Sequence, residues 1–249
     1  MGDHITEVIP QLLGSRAMNK TMIVGLAALV ALAGCADEAP KSAPGGVKWL
    51  GTIVKTNDGG MLRGNPQAKV KLVAYSAFSC SDCAQFATLS KTALNAYIAS
   101  GKVSYEFRNF NSDVTDVPAT LIAKCGGPKT FFAISEQLFQ TQSTWRGSVE
   151  KPGALDTTDL ASFPPELLAA VLATKLGLDK LGEQRGMTGK QVKACLSDKA
   201  AIADIDTVTN AAKARYQVSA LPAFLINGRR VDGAKTWGAL EPALKAAGG

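Results

Sequence analysis

The sequence predicts an α/β domain that opens with a strand–helix–strand unit, closes with two strands and a helix, and carries a helical insertion between these halves. Three observations support this prediction: a buried-strand pattern that runs into a helical pattern near residue 80, an Asn-Gly turn signal near the C-terminus, and about ninety residues of helical periodicity between them. The chain has 249 residues, of which 46% are hydrophobic, so it can bury a sizeable core.

The N-terminal segment has the pattern of an export signal. Met18-Asn19-Lys20 gives a positive start, and the thirteen apolar residues Thr21 to Ala33 are too few to span a bilayer as a helix, which takes about 20. The stretch ends in Leu32-Ala33-Gly34-Cys35, which resembles the bacterial lipobox, where the chain is cut before a cysteine that carries diacylglycerol. We therefore predict a signal peptide over 1–34 and a lipidated Cys35 with its tether over 35–60. A plain secretory signal, with Cys35 as a bystander, is the alternative.

The charge distribution excludes an obvious nucleic-acid surface. The formal net charge is +6, yet the lysines and arginines are scattered, and Arg229-Arg230 is the only tight pair in the predicted domain. Such a pattern is typical of a solvated surface. We therefore expect no nucleic-acid partner.

The first half of the domain is predicted over 61–112. Val70 to Tyr75 indicates a buried strand, and Val103 to Phe107 alternates as a second strand. Between them lies a helix that ends at Gly101 and has one face marked by Phe86, Ser90, Ala93 and Tyr97. Two strands joined by a helix in so few residues predict a parallel unit with a right-handed crossover.

The second half is predicted over 203–249. The apolar run Pro222 to Ile226 leads into Asn227-Gly228 and then into Arg229 to Val231, and an Asn-Gly pair in such a place is the strongest short hairpin signal. A last helix is predicted from about Lys235 to Ala246.

The insertion, predicted over 113–202, contains two cysteines that we expect to face its core. Cys125 shares a helical face with Leu121 and Ile122, and Cys195 follows a capping box formed by Thr188 and Gln191. In an oxidising compartment we expect Cys125 and Cys195 to form a stabilising disulfide. Two separate buried thiols are the alternative. A further amphipathic helix is predicted over Leu167 to Leu181, after Pro164-Pro165.

The tetrapeptide Cys80-Ser81-Asp82-Cys83 carries the strongest chemical signal. It follows the first strand and opens a helix, so the Cys80 sulfur lies where unpaired N–H groups and the helix dipole favour a thiolate. Cys83, one turn on, can close a disulfide with it. Half of a zinc site is an alternative that would need the distant Cys125 and Cys195 as ligands, and an inert structural disulfide is another.

These residues together resemble the DsbA-like branch of the thioredoxin superfamily. The resemblance rests on the C-x-x-C pair and four segments: 64–73, Tyr105 to Phe110, Leu138 to Gln142, and Leu221 to Gly228. It implies a thioredoxin fold with a helical insertion and the activity of a thiol:disulfide oxidoreductase. In that reading Cys80 is the nucleophile, Cys83 is the resolving thiol, and Pro222 is a cis-proline that faces them and receives the substrate's extended backbone.

Three positions depart from the family pattern. Ser81-Asp82 stands where relatives often have proline and then histidine or tyrosine, and an exposed carboxylate opposes a thiolate at Cys80. Ala74 stands where many relatives carry a buried glutamate, so Cys83 needs another proton route. Leu221, before the proline, contributes apolar cover and no hydroxyl. We therefore expect a disulfide that is less readily reduced than those of strongly oxidising relatives.

The resemblance also implies the partners. Substrates would be exported proteins that contain cysteines, a quinone-linked thiol oxidase of the inner membrane would reoxidise the dithiol, and the lipid anchor would hold the chain to a periplasmic membrane, inner or outer. We expect no metal, nucleotide or flavin cofactor, because the electrons stay on sulfur. A monomer is expected. The alternatives are a disulfide reductase or isomerase, a non-catalytic peptide-binding adaptor, and a copper(I) carrier, which would lack a distal histidine.

Overall fold

The computed structural model describes residues 48–149 and 162–249. After a short 3-10 helix at Trp49–Gly51, these residues form six strands: β1 (Ile53–Lys55), β2 (Met61–Gly64), β3 (Val70–Ser76), β4 (Val103–Asn109), β5 (Ala223–Ile226) and β6 (Arg229–Arg230). The described helices are α1 (Ser81–Ala99), α2 (Asp116–Cys125), α3 (Pro128–Gln140), α4 (Gln142–Gly147), α5 (Pro165–Lys175), α6 (Leu178–Gln184), α7 (Gly189–Leu196), α8 (Lys199–Tyr216) and α9 (Trp237–Ala246).

The strands form one mixed sheet in the order β1-β2-β4-β3-β5-β6. β3 and β4 pair in parallel, with Val70 opposite Val103 and Ser76 opposite Asn109, and α1 connects them. The other pairs are antiparallel, including β3 with β5. The predicted strand–helix–strand opening and two-strand–helix ending are both confirmed.

The central strand β3 buries both of its faces, because its side chains alternate between two cores. Leu72 and Ala74 pack in one cluster with residues of α1 and α9. Val73 and Tyr75 pack in another with Val208 and other residues of α8. A third cluster joins the insertion to the end of the sheet that carries the C-x-x-C pair. The strand therefore delivers the following loop to a fixed position.

The sheet begins earlier than the sequence predicted. Residues 48–60 were assigned to the tether, but β1 pairs with β2 through Ile53 opposite Arg63, and a tight turn at Thr56 to Gly60 joins the two strands. β1 has only three residues, of which two are exposed, so it lacks the apolar alternation that identifies a strand.

The insertion differs from the prediction in two places. The helix predicted over Leu167 to Leu181 is two helices, α5 and α6, because the chain turns at Gly177, whose φ of 69° favours glycine. The predicted boundary at 202 falls inside α8, which runs without a break from the insertion into the C-terminal half. The capping box of Thr188 and Gln191 is present at the start of α7.

The predicted signal peptide, Cys35 and the first part of the tether lie outside the described residues. Among the helices that are described, none combines the length and the apolar character needed to cross a bilayer.

Candidate active site

The two cysteines of the C-x-x-C pair form a disulfide at the start of α1, with their Cα atoms 5.2 Å apart. Cys80 is the N-cap residue, and its sulfur accepts a hydrogen bond from the Cys83 N–H at 3.0 Å. Cys80 is partly exposed, whereas Cys83 is 1% exposed and lies in the same buried cluster as Phe78 and Phe107. An incoming thiolate can therefore reach Cys80 but not Cys83.

The insertion holds the backbone on which Cys80 lies. Gln142, the first residue of α4, donates from Nε2 to the carbonyl oxygens of Phe78 at 2.7 Å and Cys80 at 2.9 Å. The Phe78 ring packs against Phe107 of β4 and Phe139 of α3, with ring centres 5.7 and 5.1 Å away. These contacts fix the loop between β3 and α1 from the side of the helical insertion.

A buried carboxylate supports the same loop. Asp116, at the start of α2, accepts hydrogen bonds from the backbone N–H and the hydroxyl of Ser79, both at 2.8 Å. Burial raises the pKa of Asp116 above its ordinary value, and the hydrogen bonds from Ser79 partly oppose this shift.

The Leu221–Pro222 peptide bond is cis. It precedes β5, and Ala223 lies opposite Tyr75 of β3, so Pro222 is one residue further toward the end of β3 that leads to Cys80. Lys235 donates from Nζ to the carbonyl oxygens of Leu221 at 2.9 Å and Pro222 at 3.2 Å. This lysine fixes the backbone on both sides of the cis bond.

The other predicted residues divide into three places. Ser81 and Asp82 are exposed on the first turn of α1, and the partly buried Leu221 packs against the cluster that contains Cys83. Cys125 and Cys195 form a second disulfide, which joins the last residue of α2 to α7.

Three residues that hold the site were not predicted from the sequence: Asp116, Gln142 and Lys235. Gln142 lies in one of the segments that resemble the DsbA-like branch, and its place at the break between two helices is a weak signal for a backbone contact. Asp116 had the pattern of an ordinary helix start, in which an acidic residue is common. Nothing in the local sequence marked Lys235, because its bonds depend on how α9 approaches the cis-proline loop.

Comparison with known proteins identifies the family of this chain. A family model described as Thioredoxin matches residues 56–246. The chain belongs to this thioredoxin family. The match includes both halves of the sheet and the insertion between them.

Relatives of this thioredoxin-family chain carry related names. A candidate protein-disulfide oxidoreductase of Rickettsia bellii (strain RML369-C) is 25% identical over 192 residues, which cover 75% of this chain and 64% of that protein. A second candidate protein-disulfide oxidoreductase, from Rickettsia prowazekii (strain Madrid E), is 25% identical over 72% of this chain and 58% of its own length. The chain thus spans about three fifths of the length of these relatives.

Solved structures show the same fold. The crystal structure of a protein-disulfide isomerase from Novosphingobium aromaticivorans is 28% identical with a TM-score of 0.70, and the match covers 74% of this chain and 95% of that one. The crystal structure of Wolbachia pipientis alpha-DsbA1 is 20% identical with a TM-score of 0.54, over 75% and 89% of the two chains. The DsbA-like thioredoxin fold predicted from the sequence is confirmed.

Proposed function

We propose that this chain is a thiol:disulfide oxidoreductase that exchanges disulfides with exported proteins through Cys80 and Cys83. The observation that carries the proposal is the asymmetry of the pair: Cys80 is reachable at a helix N-terminus, and Cys83 is buried one turn further on. A thiolate on Cys80 is favoured by the helix dipole and by the Cys83 N–H that already points at its sulfur.

In the oxidising direction, a substrate thiolate attacks the Cys80 sulfur and breaks the bond to Cys83. The electron pair of that bond leaves on Cys83, which takes up a proton, and the substrate is then joined to Cys80 by a mixed disulfide. The second thiolate of the substrate attacks the substrate sulfur of this bond and releases Cys80 as a thiolate. Two electrons have passed from the substrate to the enzyme, and the substrate has gained one disulfide.

The cis-proline loop would receive the substrate's backbone next to this disulfide. Leu221 and Pro222 directly precede β5, which pairs with β3, the strand that leads to Cys80. Lys235 donates hydrogen bonds to both of their carbonyl oxygens. We infer that the substrates are extracytoplasmic proteins with cysteines, because the sequence pattern that ends at Cys35 predicts export and disulfides persist in oxidising compartments. A quinone-linked thiol oxidase would return the dithiol to its oxidised form, and Cys35 would attach the chain to a periplasmic membrane.

The proposal is tested with Cys83→Ser, which keeps the nucleophile and removes the resolving thiol. After rapid acid trapping of thiols in cells, this variant should accumulate mixed disulfides with exported proteins, visible on non-reducing gels. Cys80→Ser is the matched control and should accumulate none. A Cys83→Ser protein that stays free of partners, as an adaptor would, contradicts the proposal.

Isomerisation is the second candidate, because the Novosphingobium aromaticivorans neighbour is named a protein-disulfide isomerase. The same site would act from the reduced state: the Cys80 thiolate attacks an incorrect substrate disulfide, forms a mixed disulfide and frees one substrate thiolate. A different thiolate of the substrate then attacks the substrate sulfur of the mixed disulfide, forms the new bond and releases Cys80 as a thiolate. Refolding of a scrambled disulfide protein by the reduced chain, without added oxidant, would separate this direction from net oxidation.

A further inference from the structure

The Asp116 carboxylate binds Ser79, the residue that precedes Cys80. Asp116 is fully buried, and its Oδ1 accepts from the Ser79 N–H at 2.8 Å. Its Oδ2 accepts from the Ser79 hydroxyl at 2.8 Å and from the N–H groups of Ser112 at 3.0 Å and Asp113 at 2.9 Å. Four donors point at one side chain. This arrangement suits an ionised carboxylate, which only accepts hydrogen bonds.

These bonds join two loops at the same end of the sheet. Ser79 belongs to the loop from β3 to α1, and Ser112 and Asp113 belong to the loop from β4 to α2. Since β3 and β4 are parallel, both loops leave the sheet at the carboxyl ends of their strands. Asp116 therefore fixes the residue before the nucleophile, while Gln142 fixes the carbonyl of the nucleophile itself.

The carboxylate places its negative charge against Ser79, one residue before Cys80. All four donors that bond it are uncharged groups, so they stabilise the charge without cancelling it. Arg146 forms an ion pair with Asp113 at 3.6 Å and donates to the hydroxyl of Thr115 at 3.2 Å. A buried negative charge raises the free energy of a second anion that forms beside it.

We propose that Asp116 is a positioning residue of the redox site, which holds Ser79 and Cys80 at the start of α1 and opposes ionisation of the Cys80 thiol. This inference rests on the proposed function, because it concerns how strongly the disulfide oxidises its substrates. A less stable Cys80 thiolate makes the reduced state less favourable and the Cys80–Cys83 disulfide harder to reduce. The exposed Asp82 would act in the same direction from the solvent side.

The deciding variant is Asp116→Asn in the otherwise intact, reduced protein. We expect the midpoint of the Cys80 thiolate titration, followed by ultraviolet absorbance, to fall by about one pH unit. The equilibrium with glutathione should shift about tenfold toward the reduced form. Neither readout requires a protein substrate. If the chain shows no exchange activity in cells, the proposed function is wrong, but the titration and the equilibrium with glutathione still test this inference.

Ser79→Ala removes the hydrogen bond between the Ser79 hydroxyl and Asp116 but keeps the charge of Asp116. It thereby removes one of the four uncharged donors that stabilise the carboxylate, so the negative charge acts more strongly on Cys80 and the titration midpoint should rise by a few tenths of a pH unit. Asp198→Asn is the matched control, because it removes one negative charge at the start of α8, while the amide oxygen of the asparagine can still accept the hydrogen bond that Ala201 N donates to Asp198 at 3.0 Å. It should leave the midpoint unchanged.

An unchanged midpoint in folded Asp116→Asn overturns the inference. If that variant does not fold, Ser79→Ala decides alone, and a midpoint that stays or falls overturns the inference. A purely structural role for Asp116 would change the unfolding transition of its variant without moving the titration or the equilibrium with glutathione.

Discussion

The two disulfides of the described chain have similar local geometry and opposite surroundings. Their Cα atoms are 5.2 and 5.8 Å apart. Cys80 lies at the N-terminus of α1, whereas Cys125 is the last residue of α2 and Cys195 lies in the last turn of α7. The positive end of a helix dipole favours a thiolate, and the negative end disfavours it. A cysteine at the N-terminus of its helix therefore favours an exchangeable disulfide, and cysteines near the C-termini of their helices favour a structural one.

The two bonds also constrain different lengths of chain. The first closes a loop with a sequence separation of 3, and the second closes one with a separation of 70. In the chain-entropy account, the longer loop restricts the unfolded state much more. The second bond should therefore contribute to stability, while the first contributes to chemistry.

The largest expected effect comes from removing the second disulfide, which tests whether that bond is the one that stabilises the fold. Replacing both Cys125 and Cys195 by serine should lower the free energy of unfolding by about 2–4 kcal/mol, because the unfolded chain loses a long-range cross-link. Urea denaturation of the oxidised protein measures the change. The double replacement of Cys80 and Cys83 by serine is the control and should cost much less. Equal losses in the two double variants would contradict the comparison.

The cis-proline loop provides a test of the exchangeable site that leaves both disulfides intact. Lys235→Met removes the two bonds to the carbonyls of Leu221 and Pro222, so the loop that we propose as the substrate-binding loop should be less ordered. We expect kcat/KM for oxidation of a dithiol peptide to fall about fivefold, which corresponds to about 1 kcal/mol. The exposed Lys190→Met is the control. A fall of the same size for a small dithiol that does not contact the loop would argue against this role.

The sequence predicted the fold well where periodicity is strong. The βαβ unit, the last hairpin and α9 follow from apolar runs and an Asn-Gly turn, and each agrees with the structure within a few residues. β1 was missed because its three residues, two of them exposed, carry no alternation, and their place is decided by pairing with β2. The break at Gly177 was missed because the apolar pattern continues across it.

The candidate site was also predictable only where a local sequence pattern marks it. Cys80 and Cys83 are only three residues apart, so a helix start was enough to place them. The residues that hold the site come from separate elements: Asp116 of α2 and Gln142 of α4 bind the loop before α1, and Lys235, just before α9, binds the carbonyls of Leu221 and Pro222. Their roles arise only when these elements pack together around the sheet. Single-sequence patterns do not report such packing.

The smallest expected effect concerns Lys124, which precedes Cys125 of the second disulfide. Burial lowers the pKa of Lys124 to about 8, and its Nζ donates to the Gly59 carbonyl at 3.0 Å. Since the unfolded chain keeps the lysine proton to higher pH than the folded chain does, the free energy of unfolding should rise between about pH 8 and pH 10. Lys124→Met should lack this rise and be up to about 1 kcal/mol more stable at pH 7, where the wild type buries a charge.

Denaturation curves across this pH range measure the difference between wild type and Lys124→Met, and the exposed Lys193→Met is the control. Parallel pH dependence in wild type and Lys124→Met would show that the Lys124 charge does not affect folding. Peptide oxidation by Lys124→Met at pH 7 should match the wild-type rate, because Lys124 lies at the Cys125 end of α2 and Asp116 lies at the end that holds Ser79. A changed rate would show that α2 couples the two disulfides, and the separation between a chemical and a structural bond would then fail.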